Sequence, residues 1–447
     1  MKIPQFLLCF LLFICSSNYS IAKKKSHKHH PLLFLPVFKD EITQQYVAQI
    51  YQRTPLVPVN LTVDLGGRFL WMDCENDYIS SSYKNVPCGS RPCKLSGSQG
   101  CYGSSCPVAP RPGCNNYTCS HIPYNPIKRS STDGELAQDI VALWSITTTT
   151  TNNNSNNVSK MLLSSTSGVM FNCPGDFLLE KLANGVKGMA GLGNGYTGLP
   201  SQLARAFHLP RKFAICLSGN TKSNGVILFG ERRSYYASNE VLTYTPLLKN
   251  PVSTAGAYFP GEASVEYFIG VEKILVNGKI VPIDNKLLAI NKTNGVGGTK
   301  ISTVVPYGTM ESSIYKAFKY EFVKAIAKVP IAKPITPFEL CFNLSNSDTV
   351  TGLVIPQVSL VLLGEHNNST TWDLPMNNFM ASPTINDSSD LLCLGFLDGG
   401  ENAETSIVLG GMQIEENLLE FDLVKKRMGF KSVYMSSDLV SCSNKFR

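Results

Sequence analysis

Short runs of β-branched and aromatic residues recur along most of this chain of 447 residues, separated by clusters of Gly, Pro, Asn and Ser. Such alternation predicts strands bounded by turns. The clearest predicted strands are Tyr46–Tyr51, Val141–Thr150, Val226–Phe229, Tyr267–Val276, Val358–Leu363 and Leu391–Phe396. The pattern therefore predicts a mostly β protein, and the length allows two or three domains.

Helical patterns are few. Pro200–Ala206 begins with a proline suited to a first helical turn. Glu311–Lys328 carries apolar residues four positions apart, which predicts a longer helix with one buried face. These apolar residues are Ile314, Phe318, Phe322 and Ile326. The stretch Thr147–Asn157 is rich in Thr and Asn and predicts an exposed loop.

Residues 1–22 predict a secretory signal, because Lys2 precedes a short apolar run and the segment ends in small residues at Ala22. No other apolar run approaches the roughly 20 residues that a membrane span needs. We therefore expect a secreted protein without a membrane span. Residues 23–39 form a basic leader and the first segment of the body.

The formal net charge of +7 is concentrated at the N-terminus, in the run Lys23–His30. The rest of the mature chain is near neutral and offers no electrostatic basis for binding nucleic acid. The run predicts a solvated, disordered leader. Two alternatives remain open: a patch that binds acidic cell-wall polysaccharide, and a weak metal-binding tail formed by its histidines.

The chain has 14 cysteines, of which Cys9 and Cys15 lie in the predicted signal. The even number that remains predicts six disulfides in an oxidising compartment. A zinc site between Cys88 and Cys106 is the alternative, but the spacings there are irregular; we expect neither a metal nor a cofactor. The remaining cysteines are Cys74, Cys88, Cys93, Cys101, Cys106, Cys114, Cys119, Cys173, Cys216, Cys341, Cys393 and Cys442.

Sequons for N-glycosylation are frequent, which agrees with secretion. The candidate asparagines are Asn60, Asn116, Asn153, Asn157, Asn291, Asn343, Asn367, Asn368 and Asn386.

The segment Leu61–Trp71 predicts a strand, a glycine-bearing turn and a returning strand, with Asp64 at the turn. It resembles the Asp-Thr-Gly-Ser loop of pepsin-like aspartic peptidases. These enzymes use two such loops, whose two aspartates share a proton and activate a water molecule. The corresponding downstream segment is Gly298–Tyr307, where Ser302 stands at the position of the second Asp and Val304 at that of a Gly.

Two further segments, Gly188–Leu203 and Ile407–Phe430, resemble the hydrophobic-Gly strands and the closing hairpin of the same fold. More closely, the chain resembles the plant extracellular dermal glycoprotein, basic 7S globulin and xylanase-inhibitor group. Three phrases carry this closer resemblance, besides the Asp64 loop: Arg111–Asn116, Thr243–Leu248 and Val265–Val271.

This resemblance implies a mostly β, disulfide-rich, bilobal pepsin-like fold with a central cleft. We expect an N-terminal lobe over residues 40–240 and a C-terminal lobe over residues 241–447. Pairing of Cys341 with Cys393, and of Cys216 with Cys442, is expected, although sequence alone does not fix the connectivity.

With Ser302 in place of the second carboxylate, we expect no peptidase activity. The resemblance implies a protein secreted into the plant apoplast or cell wall that inhibits a microbial cell-wall glycoside hydrolase, such as a xyloglucan endoglucanase or a xylanase. Two alternatives stay open. One is a storage or peptide-binding globulin whose partner is a cysteine-rich peptide, and the other is a residual endopeptidase in which another carboxylate approaches Asp64.

Two loops are the candidates for contact with a hydrolase. In related inhibitors each loop presents an Arg, which suits a carboxylate pair because its planar fork donates two hydrogen bonds. Here the first loop offers Lys328 and Lys333, and the second offers Asp398, Glu401 and Glu404. The acidic loop should be repelled by a carboxylate pair.

Two expectations concern the cleft itself. Without a partner carboxylate, Asp64 should ionise near its ordinary pKa. Tyr124 is the candidate remnant of a substrate-covering hairpin, although the glycines that such a hairpin uses are missing from Tyr124–Glu135.

Overall fold

Strands dominate the computed structural model, which describes residues 32–103, 111–150, 157–230, 241–326, 329–343, 355–383, 391–433 and 441–443. Those before residue 231 are β1 (Leu32–Lys39), β2 (Tyr46–Gln52), β3 (Val57–Asp64), β4 (Leu70–Met72), β5 (Lys84–Asn85), β6 (Gly100–Tyr102), β7 (Thr118–His121), β8 (Tyr124–Asn125), β9 (Ser130–Ser131), β10 (Gly134–Thr150), β11 (Asn157–Pro174), β12 (Gly188–Gly191), β13 (Lys212–Cys216) and β14 (Gly225–Phe229). Those after residue 240 are β15 (Thr243–Leu248), β16 (Tyr267–Ile269), β17 (Val271–Val276), β18 (Lys279–Ile280), β19 (Thr299–Ile301), β20 (Gly308–Met310), β21 (Ile331–Ala332), β22 (Cys341–Asn343), β23 (Val358–Leu363), β24 (Ser369–Leu374), β25 (Met380–Ala381), β26 (Leu391–Leu394), β27 (Phe396–Asp398), β28 (Ile407–Leu409), β29 (Asn417–Asp422) and β30 (Arg427–Ser432).

Helices are short and few in the described part of the chain. The α-helices are α1 (Arg91–Ser96), α2 (Leu199–Phe207), α3 (Asn285–Leu288), α4 (Ser312–Ala325) and α5 (Gly411–Ile414). Single 3₁₀ turns occupy Asp176–Leu179, Glu365–Asn367 and Met376–Asn378. None of these helices is long and apolar enough to cross a membrane.

Most predicted elements are present with small shifts. The prediction over Tyr267–Val276 corresponds to β16 and β17, which are separated at Gly270, and the helix predicted from Glu311 is α4. The side chain of Glu311 accepts hydrogen bonds from the Ser313 and Ile314 N–H groups, which caps α4 and explains where it begins. The predicted apolar face of α4 is buried at Ile314, Phe318 and Phe322.

The loop predicted over Thr147–Asn157 is wrong at both of its ends. β10 continues to Thr150 and β11 begins at Asn157, and these two residues pair in one long antiparallel hairpin. The physical reason is that β-branched threonines favour extended backbone when a partner strand is available. Residues 151–156 lie outside the described part.

The largest sheet joins segments from both sides of residues 231–240. β13 pairs with β29 in antiparallel register, from Lys212 opposite Asp422 to Cys216 opposite Leu418. Aromatic rings pack across this junction, because Phe213 stacks on Phe421 with ring centroids 4.8 Å apart. The expected lobe boundary at residue 240 falls outside the described residues and stays a prediction.

Disulfides account for most of the cysteines. The predicted pairs Cys216–Cys442 and Cys341–Cys393 are confirmed. The zinc alternative is wrong, because Cys88, Cys93 and Cys101 are engaged in disulfides. Cys114 is also disulfide-bonded, and Cys106 lies outside the described residues. The remaining described bridges are Cys74–Cys173, Cys88–Cys101 and Cys93–Cys119.

Candidate functional site

Asp64 lies at the C-terminal end of β3, where the chain turns towards β4. β12 runs parallel to β3 and places Gly191 beside Asp64. A Cβ atom at Gly191 would lie 2.2 Å from the carbonyl oxygen of Phe69, so only glycine allows this approach. The hydrophobic-Gly motif therefore supports the back of the Asp64 loop.

Ser302 occupies the same position in a second, similar unit. β19 ends at Ile301 and is parallel to β28, and the Ser302 N–H donates to the Leu409 carbonyl oxygen at 2.9 Å. A Cβ at Gly410 would lie 2.6 Å from the Val305 carbonyl oxygen, so a glycine is again required. The two predicted half-sites thus have the same construction.

Thr303 joins the two loops. Its Oγ1 accepts a hydrogen bond from the Leu65 N–H at 2.9 Å and donates one to the Val63 carbonyl oxygen at 2.7 Å. Asp64 and Ser302 consequently line one cavity of about 210 Å³. This volume is below the roughly 300–1,000 Å³ of typical small-molecule sites.

Asp64 differs from the sequence expectation in its acidity. The residue is only 9 % exposed, and burial followed by the charge of Glu266 raises its pKa to about 7. Hydrogen bonding to the Gly66 N–H, whose nitrogen lies 3.1 Å from Asp64 Oδ1, and the charge of Lys300 oppose the shift. The expectation of an ordinary pKa is wrong, because it considered the missing partner carboxylate and left out burial and Glu266.

Glu266 and Lys300 are site residues that the sequence interpretation missed. Lys300 Nζ lies 2.8 Å from Glu266 Oε1. Tyr267 pairs with Ile301 between β16 and β19, so Glu266 lies level with Ser302. The alternation of side chains along β19 was the available signal, since it places Lys300 on the same face as Ser302.

Tyr124 is brought into the cleft, as expected of a hairpin remnant. β8 and β9 pair antiparallel through Tyr124 and Ser131 despite the lack of flap glycines. Gly256 packs directly on the Tyr124 ring, where an added Cβ would come within 2.4 Å of a ring carbon. The cleft is therefore narrowed between this hairpin and the chain around Gly256.

Residues 255–262 are here called the cover segment, and the first four of them form that opposite wall. Arg68, in the Asp64 loop, donates two hydrogen bonds to the Glu262 carboxylate at 2.8 and 3.3 Å. The Arg68 guanidinium also lies 5.3 Å from the centre of the Tyr258 ring. A bidentate ion pair and a ring contact thus tie the cover segment to the Asp64 loop.

The candidate inhibitor residues occupy different surroundings. Asp398 accepts hydrogen bonds from Ser312 Oγ at 2.6 Å and the Gly400 N–H at 2.9 Å, so it shapes its own loop. Glu401 and Lys333 are exposed, and Glu404 is exposed at the edge of the cleft cavity. Lys328 lies outside the described residues.

The sequons differ in accessibility. Asn60 is half-buried within β3, and its Oδ1 accepts a hydrogen bond from Gln49 Nε2 at 3.0 Å. Asn343 is also half-buried, whereas the exposed members are Asn116, Asn291 and Asn368. Asn153 and Asn386 lie outside the described residues, and the side chains of Asn157 and Asn367 are not described.

The described residues contain no cluster of three or more His, Cys, Asp or Glu side chains that could hold a metal ion.

The fold and the cleft together define the class of protein. Two strand-turn units meet at one cleft, and a parallel hydrophobic-Gly strand supports each of them. This is the bilobal, pepsin-like aspartic peptidase fold.

Comparison with known proteins agrees with this class. Residues 46–231 match the family description "Xylanase inhibitor N-terminal" and residues 266–432 match "Xylanase inhibitor C-terminal". A Nicotiana benthamiana protein named "Probable aspartic proteinase GIP2" is 46% identical over 98% of this chain and 96% of its own length.

Two solved structures are also similar. "Crystal structure of edgp" has a TM-score of 0.82 and 45% identity, and covers 93% of this chain and 98% of that chain. A lupine seed protein, "conglutin gamma, a unique basic 7S globulin", has a TM-score of 0.77 and 34% identity over 93% of this chain and 98% of that chain. The chain therefore belongs to the xylanase-inhibitor and basic 7S globulin family of pepsin-like aspartic peptidase homologues.

Proposed function

We propose that this chain is a secreted, catalytically inactive member of the family that binds and inhibits a microbial cell-wall glycoside hydrolase, either a xyloglucan endoglucanase or a xylanase. The match of both halves to the xylanase-inhibitor descriptions is the observation that carries the proposal. The predicted signal and the disulfides support placement outside the cell, in the apoplast or cell wall.

The cleft geometry supports the lack of peptidase activity. Ser302 supplies no carboxylate, and the nearby carboxylate of Glu266 is paired with Lys300. A catalytic dyad needs two carboxylates that share one proton. Glu266 therefore does not replace the missing aspartate, and the cover segment narrows the space that a peptide would need.

The acidic loop determines which surface of a hydrolase this chain can meet. Glycoside hydrolases carry a pair of carboxylic residues at the scissile bond. The exposed Glu401 and Glu404 would repel such a pair, so this loop should dock on a basic surface beside the catalytic cleft. Of the two candidate lysines, Lys333 is described and exposed, and it could approach the catalytic carboxylates of the hydrolase directly.

Titration of the purified protein into a xyloglucan-specific endoglucanase and into fungal xylanases tests the proposal. Residual activity is measured against molar ratio, and a stoichiometric decrease with one enzyme is expected. Flat curves with all enzymes would contradict inhibition of this class.

A charge reversal identifies the loop. If the acidic loop docks on a basic surface, Glu404→Arg should raise the inhibition constant by about tenfold or more. Glu41→Arg is the matched control, because Glu41 is exposed and its side chain has no partner in the described residues. If the two variants changed the inhibition constant equally, the acidic loop would not be part of the interface.

A further inference from the structure

The cleft cavity combines carboxylates with aromatic rings. Asp64 is its buried carboxylate, Glu404 is its exposed one, and Glu266 lines it beside β19. Tyr124 and Tyr258 contribute aromatic walls from the hairpin and the cover segment. Anionic groups with aromatic walls attract an organic cation through both ion pairing and the ring faces.

The cations already present do not neutralise this cavity. Lys300 is engaged with Glu266, and Arg68 is engaged with Glu262. Among the described residues, neither Asp64 nor Glu404 forms an ion pair. Asp64 is the buried member of these two, and its carboxylate receives only backbone amides. Once Asp64 is ionised, the cavity therefore carries negative charge that a bound cation would offset.

We propose that this cavity is a binding site for one small organic cation, a primary ammonium group on a short aliphatic chain. The ammonium pairs with Asp64, and the Tyr124 and Tyr258 rings flank its carbon chain. The volume of about 210 Å³ admits a ligand of a few heavy atoms. A free small amine is therefore the ligand class. The site shares Glu404 with the acidic loop, whereas Asp64, Tyr124 and Tyr258 belong to the cavity alone.

Binding is expected to depend on pH. The pKa of Asp64 is about 7, whereas an aliphatic ammonium remains charged to about pH 10. A bound cation favours the ionised carboxylate, so the affinity should rise as the pH rises through about 7. The groups that face Asp64 are Glu266 and Lys300 from the β16–β19 side, Tyr124 from the hairpin, Tyr258 from the cover segment, Arg68 from its own loop and Glu404 at the cavity edge.

Ligand-observed NMR titration of the full-length mature protein tests the site. The probes are butylamine and its neutral analogue 1-butanol, in phosphate buffer at pH 8 and acetate buffer at pH 5. Butylamine should saturate one site at pH 8 and bind at least tenfold more tightly than 1-butanol. At pH 5 only about 1% of Asp64 is ionised, so its affinity should be up to about 100-fold weaker.

Variants assign the site. Asp64→Asn should weaken butylamine binding at pH 8 by about tenfold to a hundredfold, and Glu41→Gln, on the exposed surface, should leave it unchanged. If Asp64→Asn fails to fold, Glu404→Gln at the exposed edge should still weaken binding while leaving the fold intact. Equal affinity for 1-butanol, unchanged binding in the folded Asp64 variant, or no saturation by butylamine would each overturn the proposal.

Discussion

Thr303 provides the sharpest test of how the two half-sites are held together. It is 2 % exposed, and its hydroxyl bonds both the Leu65 N–H and the Val63 carbonyl oxygen of the opposite loop. Thr303→Val keeps the shape of the side chain and removes both hydrogen bonds. Thr299 begins β19, the strand that leads into the Thr303 loop, is 0 % exposed, and has an Oγ1 without a partner among the described residues. Thr299→Val is therefore a matched control.

The two substitutions should change the free energy of unfolding in opposite directions. An unsatisfied buried polar group costs about 1–3 kcal/mol. Thr303→Val leaves two such groups, so the free energy of unfolding should fall by about 2–6 kcal/mol. Thr299→Val removes a buried hydroxyl that already lacks a partner, so stability should stay the same or rise by up to about 2 kcal/mol.

Equilibrium unfolding in guanidinium chloride with intact disulfides measures both effects. The midpoint of the Thr303 variant should fall clearly below that of the wild type, whereas the midpoint of the Thr299 variant should not fall. Equal decreases in the two variants would refute the reasoning, because they would show that loss of any buried hydroxyl in this segment has the same cost.

Three further predictions follow from the cleft. Because the pKa of Asp64 is raised to about 7, its protonated form stabilises the fold below about pH 4, and this contribution is lost as the pH rises through about 7. The stability of Asp64→Asn relative to the wild type, measured by urea unfolding, should therefore rise between pH 4 and pH 8. Asp398→Asn is the control, because hydrogen bonds lower the pKa of the Asp398 carboxyl. Its stability should differ from that of the wild type by a constant amount from pH 5 to pH 8. Arg68→Gln should speed hydrogen exchange in the cover segment, while Arg427→Gln, which breaks an ion pair elsewhere, should not; equal rates in the two variants would show that the ion pair does not hold the segment. Ser302→Asp should not produce endopeptidase activity at pH 3–5 in a casein assay, because the cover segment narrows the space that a peptide would need. Activity in the Ser302→Asp variant that is abolished by adding Asp64→Asn would contradict this.

The elements that carry the fold were largely predictable. Asp64, Gly191 and Gly410 belong to short motifs whose spacing is set by backbone geometry, since a parallel strand must approach each turn closely. The helix α4 was predictable because its buried residues recur every four positions. Local patterns therefore indicated the framework of the cleft.

The contents of the cleft were less predictable. Glu266 and Lys300 are separated by 34 residues and meet because β16 pairs with β19, a register that composition does not reveal. The role of Asp398 was also hidden, because its loop folds onto the first turn of α4 and uses the carboxylate internally. Likewise, residue order does not show that the cover segment reaches Arg68.

The construction of the two loops shows which groups hold the cleft together. The Ser302 loop is positioned by its backbone bond to Leu409 and by the close contact at Gly410, neither of which involves the Ser302 side chain. Thr303 then couples this loop to the opposite one. The contacts that position the two loops therefore come from the backbone and from Thr303. A side-chain substitution at Ser302 leaves these contacts in place and removes only the bond that Ser302 Oγ accepts from the Val304 N–H at 3.3 Å.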